Sequence, residues 1–277
     1  MKIGIRLHDT VSGTLEERLA FVKKQGFECA HLALSKTLSD FAMGDAPVKL
    51  SRPEMAAAVQ SAFDRTGMDC AVLGCYLNLT HPDAEEREKT REIYYAHLAF
   101  AKKVGAWMVG SETPIHPQSS MVREAPRSEE AFQFFLEQLA PVVRRAEEED
   151  VILAIEPVYT HIVSTPERAE RMLEHFRSEN LRIILDAVNL LGADNQASRE
   201  KVFSDAFSRL GDRVALLHMK DYQVTGEKLT SMACGTGEMD YRSLMAFARE
   251  RNLSMTLEDT VPGNAEAAKA CLLNSMA

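Results

Sequence analysis

The sequence predicts an α/β fold of the (β/α)8 TIM barrel class, and three observations predict it. Short, almost wholly apolar runs alternate with longer segments of helical periodicity, as a parallel sheet covered on both faces requires. The alternation repeats eight times, which is the barrel number. Four successive runs then break off in a residue that can carry chemistry: Val151–Ile155 in Glu156, Leu181–Leu185 in Asp186, Val214–Leu217 in His218 and Leu253–Leu257 in Glu258. A length of 277 residues suits a single barrel. No strand runs into a GxGxxG turn, which counts against an open dinucleotide-binding sheet. No composition shift or linker divides the chain, so 1–277 is expected to be one domain.

The elements follow in order. Residues 2 to 8 alternate apolar and polar, and Thr14–Leu15–Glu16–Glu17 opens a helix to Lys24 with a cap-and-acid pattern. Cys29 to Leu34 is a second strand. The polar stretch from Ser35 to Pro53 reads as a long loop before a helix to Thr66, stopped by Gly67. Cys70 to Tyr76 is a third strand, with Asn78 and His81 beyond it. A long amphipathic helix from Asp83 stops at Gly105, and Ala106 to Val109 is the fourth strand. A loop with Glu112, Pro114, His116 and Pro117 leads to Ser128, the cap of a helix to Glu149. The fifth strand, Val151 to Glu156, is closed by Pro157. Thr165–Pro166–Glu167 starts a helix to about Phe176 with proline in its first turn. Ser198 to Leu210 is helical between the sixth and seventh strands. After His218 a longer loop holds Gly226, Gly235 and Gly237; a helix from Asp240 to Arg251, the eighth strand and a helix capped by Asn264 complete the chain.

Composition excludes some partners. Lys and Arg number 32 against 41 Asp and Glu, a formal charge of −9, which argues against binding nucleic acid through its phosphates. No apolar run approaches a membrane span, and the opening Met1 to His8 is broken by Lys2 and Arg6, unlike the apolar core of a signal peptide. The five cysteines are odd in number, form no CxxC and sit mostly in apolar segments, as buried structural thiols do. These features lead to the expectation of a soluble cytoplasmic protein. Helical barrel faces commonly pair, so a homo-oligomer is compatible with the sequence.

A lone acid at a strand end is usually a helix cap or a solvated loop residue, and a lone histidine a bonded core residue. The set carries more weight. If the strands close into one barrel, Glu156, Asp186, His218 and Glu258 converge on the face where barrel enzymes hold their sites. Three carboxylates and an imidazole gathered there would repel and desolvate one another, and a divalent cation is the simplest counter-charge. Hard O and N donors of this kind suit an octahedral Mn2+, Mg2+ or Co2+ better than a closed tetrahedral zinc site.

The segments Ile155–Glu156–Pro157, Leu185–Asp186–Ala187–Val188–Asn189, Leu217–His218–Met219–Lys220–Asp221, Gly235–Thr236–Gly237–Glu238–Met239–Asp240–Tyr241 and Leu257–Glu258 resemble, in that order, the sugar phosphate isomerase/epimerase family of xylose-isomerase-like barrels. The resemblance covers nearly the whole chain. It implies that Glu156, Asp186, His218 and Glu258 bind one divalent metal, Mn2+ favoured with Mg2+, Co2+ and Zn2+ compatible. It also implies that Glu156 and Glu258 move protons in an isomerase or epimerase acting on a small sugar or polyol ketone. A metal-dependent dehydratase of a cyclic polyol or dehydroshikimate-like substrate is the alternative on this scaffold, and a non-catalytic carbohydrate-binding barrel is the second. His8, Asn78, Glu112 and Asn189 fall at or just past strand ends, where substrate hydroxyls are met; Asn189 stands where many sugar epimerases have histidine. Lys220 shares the face of His218 and reads equally as a substrate contact or as half of a salt bridge in the mouth. The Gly235–Thr236–Gly237 loop reads as a phosphate cradle or a tight turn.

Overall fold

The computed structural model describes residues 1–113 and 127–275, so the expected loop residues Pro114, His116 and Pro117 lie outside the described residues. Ten strands are described: β1 (Ile3–Arg6), β2 (Cys29–Leu32), β3 (Asp69–Gly74), β4 (Met108–Glu112), β5 (Ile152–Glu156), β6 (Leu181–Asp186), β7 (Val214–Met219), β8 (Asp221–Thr225), β9 (Lys228–Met232) and β10 (Met255–Leu257). Eight of them close a barrel in the order β1-β10-β7-β6-β5-β4-β3-β2, every adjacent pair parallel where a register is defined. The predicted (β/α)8 barrel is therefore the fold, and its eighth strand is β10.

The helices are α1 (Leu15–Lys24), α2 (Leu34–Thr37), α3 (Ala46–Lys49), α4 (Pro53–Thr66), α5 (Ala84–Val104), α6 (Glu129–Glu149), α7 (Pro166–Phe176), α8 (Arg199–Leu210), α9 (Arg242–Glu250) and α10 (Ala265–Asn274). Their starts follow from the sequence. Thr14 and Glu17 form a reciprocal capping box at α1, and the side chains of Asp83, Ser128 and Thr165 accept backbone N–H bonds at α5, α6 and α7. Gly67 and Gly105 close α4 and α5 in the left-handed conformation that glycine adopts without steric cost.

Three expectations are corrected. The second strand ends at Leu32, and the Ser35–Pro53 stretch is not a plain loop but holds α3 and all of α2 except its first residue, with Leu34 and Ala46 buried. The fourth strand lies two to three residues later than its apolar run suggests and ends on Glu112. The long loop after His218 contains the antiparallel hairpin β8–β9, turned through Gly226 at φ 62°. The hairpin strands are polar and mostly solvent-facing, so they lack the apolar run by which the barrel strands are recognised.

Two cores result. The larger lies between sheet and helices; the smaller fills the barrel and contains Cys29, Val72, Met108, Ala154, Ile184 and Leu216. Side chains two apart on a strand share a face. One step beyond these interior residues, towards the carboxyl ends of the strands, stand His31, Gly74, Gly110, Glu156, Asp186 and His218. The interior ladder thus turns from apolar to polar within one layer. Gly4 belongs to the tight side of the interior: a Cβ there would meet the Cys29 carbonyl oxygen at 2.5 Å and its Sγ at 2.6 Å. Gly4→Ala is expected to force β1 from β2 and cost about 1–3 kcal/mol by the overpacking it causes. Urea denaturation measures this, and an unchanged midpoint would contradict the packing described.

Candidate metal centre

Four strand ends build the centre. Glu156 and Asp186 are the last residues of β5 and β6, His218 is one residue from the end of β7, and Glu258 follows β10 directly. All four are nearly sealed from solvent, with exposures of 3%, 0%, 1% and 5% respectively. His218 Nδ1 lies 2.9 Å from Glu156 Oε2 and 3.3 Å from Glu258 Oε1. Asp186 is oriented by its own backbone turn: Oδ1 accepts the N–H groups of Val188 at 2.8 Å and Asn189 at 3.0 Å, which leaves Oδ2 for other partners.

The donor atoms assemble as two overlapping triads, Glu156–Asp186–His218 and His31–His218–Glu258, each with its ligand atoms within 4.8 Å of one another. An octahedral ion with bonds near 2.1 Å separates neighbouring ligands by about 3 Å. The spacings around His218 Nδ1 fit that, and the donor set of carboxylate oxygens and imidazole nitrogen fits a divalent cation.

The chain supplies more counter-charge than the sequence led us to expect. Lys220, 7% exposed, places Nζ 3.0 Å from Asp186 Oδ2 and 3.4 Å from Glu258 Oε2. Arg6 places Nη1 3.1 Å from Glu258 Oε2, while its Nε and Nη2 reach Asp9 at 2.7 Å and Asp259 at 2.8 Å. A metal ion is therefore not required to offset the charge, which corrects the repulsion argument. Burial alone would raise the Glu258 pKa, yet His218, Lys220 and Arg6 hold its carboxyl well below the usual range. Burial likewise disfavours an imidazolium at His218, yet Glu258 and Glu156 push its pKa up to about 9. Burial lowers Lys220, but Asp186 and Glu258 outweigh it and raise its pKa.

The remaining expected residues divide. His8, Glu112, Asn189 and Lys220 line one cavity of about 530 Å3 with Glu156 and Glu258. Asn189 Nδ2 donates to Glu156 Oε1, and Glu112 is raised to about 7 by burial and by Glu156 and Glu258. Burial, reinforced by Arg6, lowers His8 to about 4. Asn78 is not among the residues lining this cavity; its Oδ1 accepts the N–H of Thr80 at 2.8 Å and orders a turn after β3. The phosphate-cradle reading of Gly235–Thr236–Gly237 is also corrected. Both glycine N–H groups donate to Asp221 Oδ2 at 3.0 Å, so the loop is a tight turn closed on a buried carboxylate.

Sequence reasoning missed Arg6, His31 and Tyr76. His31 stacks on His218 with ring centroids 5.3 Å apart and planes 13° from parallel, and burial keeps its ring neutral. The signal was present. Arg6 stands two residues after Gly4 and His31 two after Cys29, both on the interior face.

No curated protein matches the chain in sequence. Solved structures share its fold. IolI, determined with a bound zinc atom, aligns at TM-score 0.72 and 16% identity over 99% of this chain and 96% of its own. A D-tagatose 3-epimerase-like protein aligns at 0.76 and 15% over 100% and 97%. The 3-DHS dehydratase candidate AsbF of Bacillus anthracis aligns at 0.73 and 13% over 99% and 98%. A family model described as xylose isomerase-like TIM barrel matches residues 19–272, and the chain belongs to that family.

Proposed function

We propose that this protein is a metal-dependent isomerase or epimerase of a small sugar or polyol ketone, with Glu156, Asp186, His218 and Glu258 as ligands of one divalent ion. The observation that carries the reading is the approach of one oxygen from each glutamate to His218 Nδ1, at 2.9 and 3.3 Å, inside a sealed cluster. Mn2+ is the ion we favour, with Mg2+, Co2+ and Zn2+ suited to the same donors. The five free thiols, four of them buried, fit a reducing compartment, and we assign the protein to the cytoplasm. Among the described residues no helix is long and apolar enough to cross a membrane.

When bound, the ion would supply Lewis-acid stabilisation of the charge that develops as a proton leaves the carbon beside a carbonyl. The chain's own residues handle the proton. Glu156 and Glu258 each turn one oxygen to His218 and the other away from it, to Asn189 for Glu156 and to Arg6 and Lys220 for Glu258. One carboxylate takes the proton and the other returns one, so that a carbon centre is inverted or the carbonyl is relocated. Asn189 and Lys220 orient these carboxylates, and with His8 and Glu112 they are the side chains we assign to substrate contact. Burial of the cluster excludes bulk water from the transfer.

Deuterium exchange from D2O into the carbon next to the carbonyl of a bound ketose is the direct test. Glu258→Gln keeps an oxygen donor but cannot accept a proton, so divalent-ion binding should weaken by about 10- to 100-fold yet remain measurable. Exchange should fall by about 10^2- to 10^4-fold. Full exchange in that variant would remove Glu258 from the mechanism. Release of water with an unsaturated product would identify a dehydratase instead, and ion binding without turnover of any ketose a binding barrel.

A second expectation concerns stability. Lys220→Met strips the nearest cation from Asp186 and leaves Glu258 with Arg6 and His218, and with a chelator present the variant should lose about 3–5 kcal/mol. A saturating divalent ion should recover much of that loss. A variant as stable as the parent in chelator would show that Lys220 does not balance the cluster.

A further inference from the structure

Behind the cavity wall stands one more buried carboxylate, which neither the ion cluster nor the proton transfer uses. Asp221 is 1% exposed and follows Lys220 directly. Alternation along the chain turns the two side chains opposite ways, Lys220 into the mouth and Asp221 out of it. There Asp221 gathers four backbone N–H groups: Oδ1 accepts from Tyr222 and Met239 at 2.8 Å, and Oδ2 from Gly235 and Gly237 at 3.0 Å. Four donors on two oxygens require an ionised carboxylate, because an asparagine amide would turn its own N–H bonds towards two of them. The approach is close. A Cβ on Gly237 would fall 2.2 Å from the Tyr222 carbonyl oxygen and 2.6 Å from Asp221 Oδ1.

The knot closes around the backbone of Lys220. The Met219 carbonyl accepts the Glu258 N–H at 2.9 Å, the Lys220 carbonyl accepts the Tyr241 hydroxyl at 3.2 Å, and the Tyr222 carbonyl accepts the Glu238 N–H at 2.8 Å. Tyr241 is itself buried, and its oxygen also accepts the Gly235 N–H at 3.4 Å. Closing the β8–β9 hairpin does not need this arrangement. The hairpin ladder runs from Asp221–Met232 to Thr225–Lys228, whereas the Asp221 carboxylate reaches past it to residues 235, 237 and 239. A lysine carries a compact charge on a flexible four-carbon stem, so that charge is placed accurately only where the start of the stem is fixed. Lys220 Nζ stands 3.0 Å from Asp186 Oδ2 and 3.4 Å from Glu258 Oε2. Resting on the reading of Lys220 as the cation that orients the proton-transfer carboxylates, we infer that Asp221, backed by Tyr241, is a positioning residue that holds Lys220 against Asp186 and Glu258.

Two measurements on the full chain test this. In proton–nitrogen correlation spectra recorded in chelator, the Lys220 ammonium, identified by its loss in Lys220→Met, should give a resolved signal. It should broaden beyond detection in Asp221→Asn and weaken in Tyr241→Phe, which removes only the hydroxyl and carries the test if Asp221→Asn does not fold. Deuterium exchange into a saturating ketose should fall by about 10- to 100-fold in Asp221→Asn, yet by less than about twofold when the same change is made in Lys220→Met. An equal loss in both backgrounds, or an ammonium signal unchanged in both Asp221→Asn and Tyr241→Phe, would overturn the inference. The ammonium signal also separates it from the reading beneath it. Its loss in a chain that exchanges no ketose leaves the positioning and removes the isomerase, whereas exchange with signal and rate untouched leaves the isomerase and removes the positioning.

Discussion

The structure depends on how charge is compensated where the barrel interior meets its mouth. Glu156, Asp186 and Glu258 are at most 5% exposed, and ionised groups cannot be buried to that degree without partners. The partners come from different strands. His218 faces both glutamates from β7, Lys220 reaches Asp186 and Glu258 from just beyond it, and Arg6 closes on Glu258 from β1. These contacts join residues far apart in sequence that strand pairing sets side by side, β6 with β7, β7 with β10 and, across the seam between the first and last barrel strands, β1 with β10. Fold and site are thus one constraint: register along the strands decides which carboxylate meets which cation.

The mouth divides into two halves of different character. Strands β5, β6, β7 and β10 contribute the acids and His218, a set of oxygens and nitrogen at spacings an ion can bridge. Strands β1, β2 and β3 lead into Arg6, His8, His31 and Tyr76, where rings stack and glycines leave space. His31 belongs to both halves, stacked on His218 and facing Tyr76. The acidic half offers donors that a cation can bridge, and the other half sets the Arg6 guanidinium beside the uncharged rings of His8 and His31.

Much of this was legible in the sequence, for physical reasons. Glu156 and His218 each end an uninterrupted apolar run, and Asp186 and Glu258 end runs broken only by Arg182 and by Ser254 and Thr256, so the switch from core to chemistry is visible in one dimension. Arg6 and His31 obey the same alternation but are followed by further apolar residues, Leu7 and Leu32, that serve the outer core. They read as interruptions of a strand rather than as its end. In sequence Lys220 reads as a salt bridge or a substrate contact, because its distance to Asp186 is set by the pairing of β6 with β7 and not by the residues around it. Gly235–Thr236–Gly237 resembled an anion cradle because sequence cannot say whether backbone amides are already occupied, and here Asp221 occupies them. The β8–β9 hairpin escaped notice because its strands gain their stability from pairing with each other, without the buried run that marks a barrel strand.

The account turns on whether those four strand ends together hold an ion. Metal analysis of the purified chain after removal of adventitious ions and reconstitution with Mn2+ measures this most directly. The account predicts one tightly held ion per chain, lost when Asp186 is replaced by alanine. A wild-type protein that takes up none of Mn2+, Mg2+, Co2+ or Zn2+, or an Asp186→Ala variant that binds as the wild type does, would contradict it.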